Sequence, residues 1–135
     1  MDLIDTSAWV EYLRRTGSRA NLEVRRLLHE EPAAVAVTEP VVMELLAGVP
    51  PGRALDQVEK LTSGLRTLPL DPHLDFRDAA AAFRAVRSRG HTVRSIVDCL
   101  IAAAAIRSGA TLVHCDRDFD VLAAALPDLR VRSLV

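Results

Sequence analysis

The sequence predicts an α/β fold, a mostly parallel sheet covered on both faces by helices, and three observations carry that expectation. Short apolar segments of strand character recur between longer segments of helical period, the alternation that builds parallel sheets through crossover helices. The stretch Ile96–Ile106 is apolar or cysteine at every position except Asp98, so a helix there has no polar face and is expected to be buried nearly all round. Half of the 135 residues are hydrophobic, enough for one sizeable core in a single domain spanning residues 1–135.

Residues 2–5 read as a short strand, after which Asp5-Thr6-Ser7 offers capping oxygens to a helix carrying Trp9, Val10 and Leu13. Gly17 and Ser18 break that pattern, and residues 20–30 resume a helical period through Leu22, Val24, Leu27 and Leu28 until Pro32. Ala33 to Val37 is the second strand. Thr38-Glu39-Pro40 opens a helix with Val41, Val42, Leu45 and Leu46 on its apolar face and Gly48 at its end, which places Glu44 within it. Pro50-Pro51-Gly52 is a turn, and residues 54–64 form an amphipathic helix through Leu55, Val58 and Leu61. Thr67 to Leu70 is a weak third strand whose Pro69 suits an edge. Residues 73–89 form an alanine-rich helix closed by Gly90, and the Asp98 helix follows and stops at Gly109. Thr111 to Cys115 is the fourth strand, Asp116 to Leu126 a helix, and Leu129 to Leu134 a last strand.

The totals exclude several classes. A formal charge of -1 gives no global electrostatic case for nucleic acid or a membrane surface, so local charge must decide. Of the 17 basic residues only Lys60 is lysine, and arginine is the side chain suited to bidentate contact with phosphate or carboxylate. Cys99 and Cys115 sit in apolar runs without a Cys-x-x-Cys pair and read as reduced, buried hydrophobes, which suits a cytoplasmic protein. The N-terminus has neither a basic n-region nor an apolar h-region, and no apolar run approaches the roughly 20 residues that span a bilayer.

In parallel α/β sheets the working site lies beyond the carboxyl ends of the strands, and two of those ends carry acid, Asp5 and Asp116. Glu44 and Asp98 add two more from helices. Clustered carboxylates repel unless something positive sits among them, and an all-oxygen site without histidine or cysteine suits magnesium or manganese. A divalent centre of that kind fits phosphodiester hydrolysis by an activated water. Each acid also has an ordinary reading. Asp5 can cap the first helix, Glu44 can be a solvated helix position, and Asp98 can pair with Arg94 one turn earlier. Asp116, Asp118 and Asp120 can all serve a helix N-terminus. Arg84, Arg87, Arg89, His91 and Arg94 lead into the Asp98 helix and could meet RNA phosphates, Arg87, Arg89 and Arg94 above all, or could be an ordinary solvated helix end. Trp9, Tyr12, Phe76, Phe83 and Phe119 are explicable as core, leaving few surfaces on which bases could stack.

Four motifs in order carry a resemblance: Asp5-Thr6-Ser7-Ala8-Trp9, Met43-Glu44-Leu45-Leu46-Ala47-Gly48, Ile96-Val97-Asp98-Cys99-Leu100-Ile101-Ala102-Ala103-Ala104 and His114-Cys115-Asp116-Arg117-Asp118-Phe119-Asp120. Together they resemble PIN-domain ribonucleases, most closely the VapC toxins of bacterial type II toxin-antitoxin pairs. The resemblance implies a PIN-like three-layer α/β/α sandwich and an endoribonuclease using Mg2+ or Mn2+. It implies Asp5, Glu44, Asp98 and Asp116 as catalytic metal ligands, Asp118 as an accessory, and Thr6 or Ser7 orienting water. It implies attack by water that leaves a 5′-phosphate and a 3′-hydroxyl, and tRNA or another structured RNA as substrate. A VapB-like antitoxin lying over the acidic groove, a homodimer, and a heterotetramer or larger assembly with the antitoxin are its implied partners. His114 departs from the threonine or serine usual there, and reads as a buried neutral histidine rather than a ligand. Two rivals stand beside this. A magnesium-binding phospho-acceptor protein would need a lysine at the site, and only Lys60 exists; a non-catalytic PIN-like interaction module would be expected to lack an acid, and all four are present.

Overall fold

The computed structural model describes all residues, Met1–Val135. Five strands form one all-parallel sheet: β1 (Asp2–Ile4), β2 (Val35–Val37), β3 (Arg66–Thr67), β4 (Thr111–His114) and β5 (Arg130–Ser133), in the spatial order β3-β2-β1-β4-β5. Seven helices connect and cover them: α1 (Thr6–Leu13), α2 (Arg19–Glu30), α3 (Glu39–Ala47), α4 (Arg53–Ser63), α5 (Asp75–Ser88), α6 (Ile96–Ser108) and α7 (Arg117–Ala125). The result is a three-layer α/β/α sandwich.

β1, β2 and β4 are short because each is a few mainly apolar residues soon followed by a helix cap, Asp5, Thr38 and Asp116 in turn. β1 and β2 are buried at every position, as expected where helices cover both faces of a parallel sheet. Leu3 pairs with Ala36 on one side and Leu112 on the other, which makes β1 the central strand. From β1 the chain builds outward through β2 to β3, then crosses back to add β4 and β5 on the opposite side. The switch point therefore falls between β1 and β4, and crevices that bind ligands open at such points.

One cluster of buried residues fills the space between sheet and helices, with Leu3, Ile4, Trp9, Leu27, Ile101, Leu112, Phe119 and Leu122 fully inaccessible. α1 packs on α2, α5 on both α6 and α7, and α3 touches α1 and α6. Gly109 ends α6 in the left-handed conformation at φ 68°, and the Ala110 N–H caps the Ala105 carbonyl.

Several elements differ from the sequence expectation. The second strand begins at Val35, because Pro32–Ala34 forms a 3-10 turn first. The third strand is only Arg66–Thr67, paired on one side to β2; Leu68 adds one more backbone bond to Val37 before Pro69, which lacks a donor. Burial of the Asp98 helix is uneven. Ile101 to Ala105 are buried, but Ile96 is 58% exposed, since the first turn of α6 stands at the open carboxyl end of the sheet. Phe76 is also no core residue: it is 55% exposed on the first turn of α5, next to exposed Leu74. Cys115 is half-buried and donates through Sγ to the Leu134 carbonyl, whereas Cys99 is buried.

Candidate active site

Three helix N-termini meet at the switch point, and each brings an acid. Asp5 follows β1 and caps α1, its Oδ2 accepting from the Ser7 N–H at 2.8 Å and the Ser7 hydroxyl at 2.6 Å. Asp116 follows β4 and caps α7, its Oδ1 accepting from the Asp118 N–H at 3.0 Å. Asp98 lies in the first turn of α6, behind the Ser95 cap. The positive ends of three helix dipoles thus favour negative charge at one place. One backbone bond and one to a side chain lock the two strand ends together: Asp5 N–H donates to Val113 O, and the Cys115 N–H donates to the Ser7 hydroxyl, both at 2.9 Å.

Glu44 arrives from α3, half-buried, and its Oε1 accepts from the Thr6 hydroxyl at 2.8 Å. Asp98, Asp116 and Asp118 can each place a carboxylate oxygen within 4.8 Å of the others. Burial, then the charges of Asp5, Asp116, Glu44 and Asp118, push the Asp98 carboxyl up to about 7. Burial also raises Asp5 to about 6, against the Ser7 hydrogen bonds that favour its charged form, and the charge of Glu44 adds to the rise.

These residues fit a divalent cation. The donors are all carboxylate oxygens, the hard ligand set of magnesium and manganese. Asp5 Oδ1 is buried without a hydrogen-bond partner, a state that a cation would relieve. The cluster lies apart from a groove of about 740 Å³ between α3 and α4, which is lined by Glu39, Met43 and Lys60 among others and contains none of these acids. Lys60, the lysine a phospho-acceptor site would require, therefore faces a different surface.

The profile of the PIN domain matches residues 3–125. The chain belongs to the PIN-domain family. This PIN domain is 58% identical over 123 residues to Ribonuclease VapC11 of Mycobacterium tuberculosis, covering 91% of this chain and 92% of that protein, so it is of the VapC type. Its fold is similar to the DNA-bound VapBC crystal structure from Salmonella typhimurium, with a TM-score of 0.76 at 17% identity over 99% of this chain and 98% of that one. It is similar also to VapC20 of M. tuberculosis, described as a sarcin-ricin loop cleaving toxin, with a TM-score of 0.67 at 20% identity over 96% and 99% of the two chains.

The PIN domain gathers the carboxylate oxygens of Asp98, Asp116 and Asp118, and brings Asp5 and Glu44 close enough for their charges to raise Asp98; Asp118, an accessory by sequence position, is a full member of the gathered group. Asp120 is outside it: its Oδ2 accepts from the Ser133 hydroxyl at 3.1 Å, and its Oδ1 lies 3.3 Å from His114 Nε2. His114 is fully buried, its Nδ1 accepting from the Asp116 N–H at 3.2 Å, and burial lowers its pKa below the usual value. Arg87 and Arg89 are exposed and form no ion pair; Arg89 borders a small pocket with Val86, His91 and Asp120 rather than the acids. Arg94 does not pair with Asp98. Its guanidinium instead bridges Asp116 Oδ1 at 2.8 Å and Asp118 Oδ2 at 3.1 Å, 22 and 24 residues away, a contact that no local spacing reveals.

Proposed function

We propose that this PIN domain is a divalent-metal-dependent endoribonuclease, the toxin of a VapBC-type pair, with residues 1–135 acting as one domain. The observation that carries the reading is the convergence of five carboxylates at the switch point of the sheet, four of them at the N-termini of three helices and Glu44 from within α3. Asp98, Asp116 and Asp118 would hold the metal, with Asp5 beside them, and Mg2+ or Mn2+ suits the donors. When bound, such an ion supplies Lewis acidity toward a phosphoryl oxygen and activates water near neutral pH.

The protein's own groups do the rest. Thr6 fixes one oxygen of Glu44 and leaves the other free to orient water. Ser7 fixes Asp5 Oδ2 and leaves Oδ1 buried, without a hydrogen-bond partner and available as a donor atom. Water attacks phosphorus and the 3′ oxygen leaves with a proton, giving a 5′-phosphate and a 3′-hydroxyl. Trp9 and Phe119 are fully buried, and the exposed Phe76 stands beside Asp75 at the end of α6 far from Asp98. None of these three rings is offered at the acids for base stacking, which supports recognition of a folded RNA, tRNA or another structured RNA, by shape and phosphate contact. Arg87 and Arg89 are the phosphate contacts of this reading. A VapB-like antitoxin and a second copy of the chain, in a heterotetramer or larger assembly, are its partners, and the cytoplasm is its compartment. No helix is long and apolar enough to cross a membrane.

The test is cleavage of total cellular RNA by purified protein with Mg2+, with Mn2+ and with chelator. Discrete fragments bearing 5′-phosphates, requiring metal and absent with Asp98→Asn, are expected. Intact RNA in the presence of bound metal would refute the ribonuclease, and 2′,3′-cyclic phosphate ends would refute the mechanism.

A further inference from the structure

We propose that Arg94 is a displaceable counter-ion of the acid cluster: its guanidinium occupies the carboxylate oxygens that a divalent cation takes, so that cation binding and the Arg94 fork exclude each other. The inference rests on the metal-centre reading above and assigns to Arg94 the control of how much cation that centre needs.

The fork is short and double, with Nη2 on Asp116 Oδ1 at 2.8 Å and Nε on Asp118 Oδ2 at 3.1 Å. Both acids belong to the group whose oxygens can gather within 4.8 Å, and a guanidinium there repels an incoming dication. The acids do not depend on the fork for their positions. Asp118 Oδ2 also accepts the Arg94 backbone N–H at 2.9 Å, and Asp116 Oδ1 also accepts the Asp118 N–H at 3.0 Å. When the guanidinium leaves, both carboxylates remain aimed as before. Nothing else holds the Arg94 side chain: it is 77% exposed and has no third partner, so it can turn into solvent without disturbing the core. A group that positioned the ligands would be buried and irreplaceable, whereas one that only neutralises them would be exposed and loosely held, as this one is.

The experiment is titration of wild type and Arg94→Gln with MgCl2 at fixed ionic strength, read by calorimetry. Alongside it, the side-chain Nε–H resonance of Arg94 is followed by NMR through the same titration. Arg94→Gln is expected to bind Mg2+ about threefold to tenfold more tightly, as befits loss of an exposed competing pair. The Nε–H signal, protected in the metal-free protein, is expected to move to the solvent-exposed position with the midpoint of Mg2+ binding. Equal affinity, or a resonance unmoved at saturation, would overturn the exchange while leaving the metal centre intact. Weaker binding by Arg94→Gln would make Arg94 a positioning residue instead. Failure of both proteins to bind Mg2+ would overturn the metal centre and the exchange together.

Discussion

At Asp98 the chain places a carboxylate 8% exposed, with no donor from the protein and four other acids around it. Its folded form keeps a proton to about pH 7, where an unfolded aspartate loses it near 4. Between those values the folded state binds more protons than the unfolded one, so this group's contribution to stability falls as pH rises. Asp5, raised to about 6, acts in the same direction, and His114, lowered by burial, acts against them. Replacing Asp98 isolates its share. Metal-free Asp98→Asn is expected to exceed wild type in stability by roughly 1–3 kcal/mol at pH 8, with the gap narrowing by roughly half at pH 5.5 and closing only near pH 4, in urea melts across that range. A gap that does not narrow would show that Asp98 is not the strained group. Asp98 was legible in the sequence because one acid inside an apolar run has to be accounted for, and Asp5 and Asp116 because strand ends are where α/β sheets work. The partners of Arg94 were not legible: helical spacing offers Asp98 as one alternative, while the acids it meets, Asp116 and Asp118, come from another element and are set by tertiary packing.

At the scale of elements, α6 is held at both ends by different chemistry. Its first turn carries Asp98, and its last turn carries Arg107, whose guanidinium takes both oxygens of Asp75 at 2.9 Å and also reaches the Pro69 carbonyl. Burial raises the Asp75 carboxyl, but Arg107 and the Asp71 N–H more than offset that and leave it below the usual range. Asp75 is fully buried, so Asp75→Ala leaves Arg107 without its partner and is expected to cost about 2–4 kcal/mol in urea unfolding. RNA cleavage per folded molecule is expected to stay within about twofold, because the break is at the far end of the helix from Asp98. The elements themselves were mostly legible, since caps such as Asp5, Ser18 and Asp116 and stops such as Gly109 act locally. The strand at Arg66–Thr67 and the exposed first turns at Phe76 and Ile96 were not, because which side chains are covered depends on which helix lies alongside.

The whole molecule is a sheet whose five acids come from residues 5, 44, 98, 116 and 118. Gathering them stores repulsion that a bound cation would relieve, so on the proposed metal centre the assembled fold and the ion would stabilise each other. Saturation at about 100 times Kd with Mg2+ is expected to add about 2.7 kcal/mol and raise Tm by roughly 8–15 °C in calorimetry. Asp98→Asn is expected to lose most of that rise, and an equal rise in the variant would place the ion elsewhere. The strand order has a further consequence, for synthesis. β1 is made first and sits at the centre, but its neighbour β4 begins only at Thr111. A growing chain therefore carries Asp5, Glu44 and Asp98 with no strand end to complete their cluster, and a message cut short before that point yields a product with three of the five acids. On the proposed ribonuclease reading, the full set of acids exists only once most of the chain has left the decoding centre.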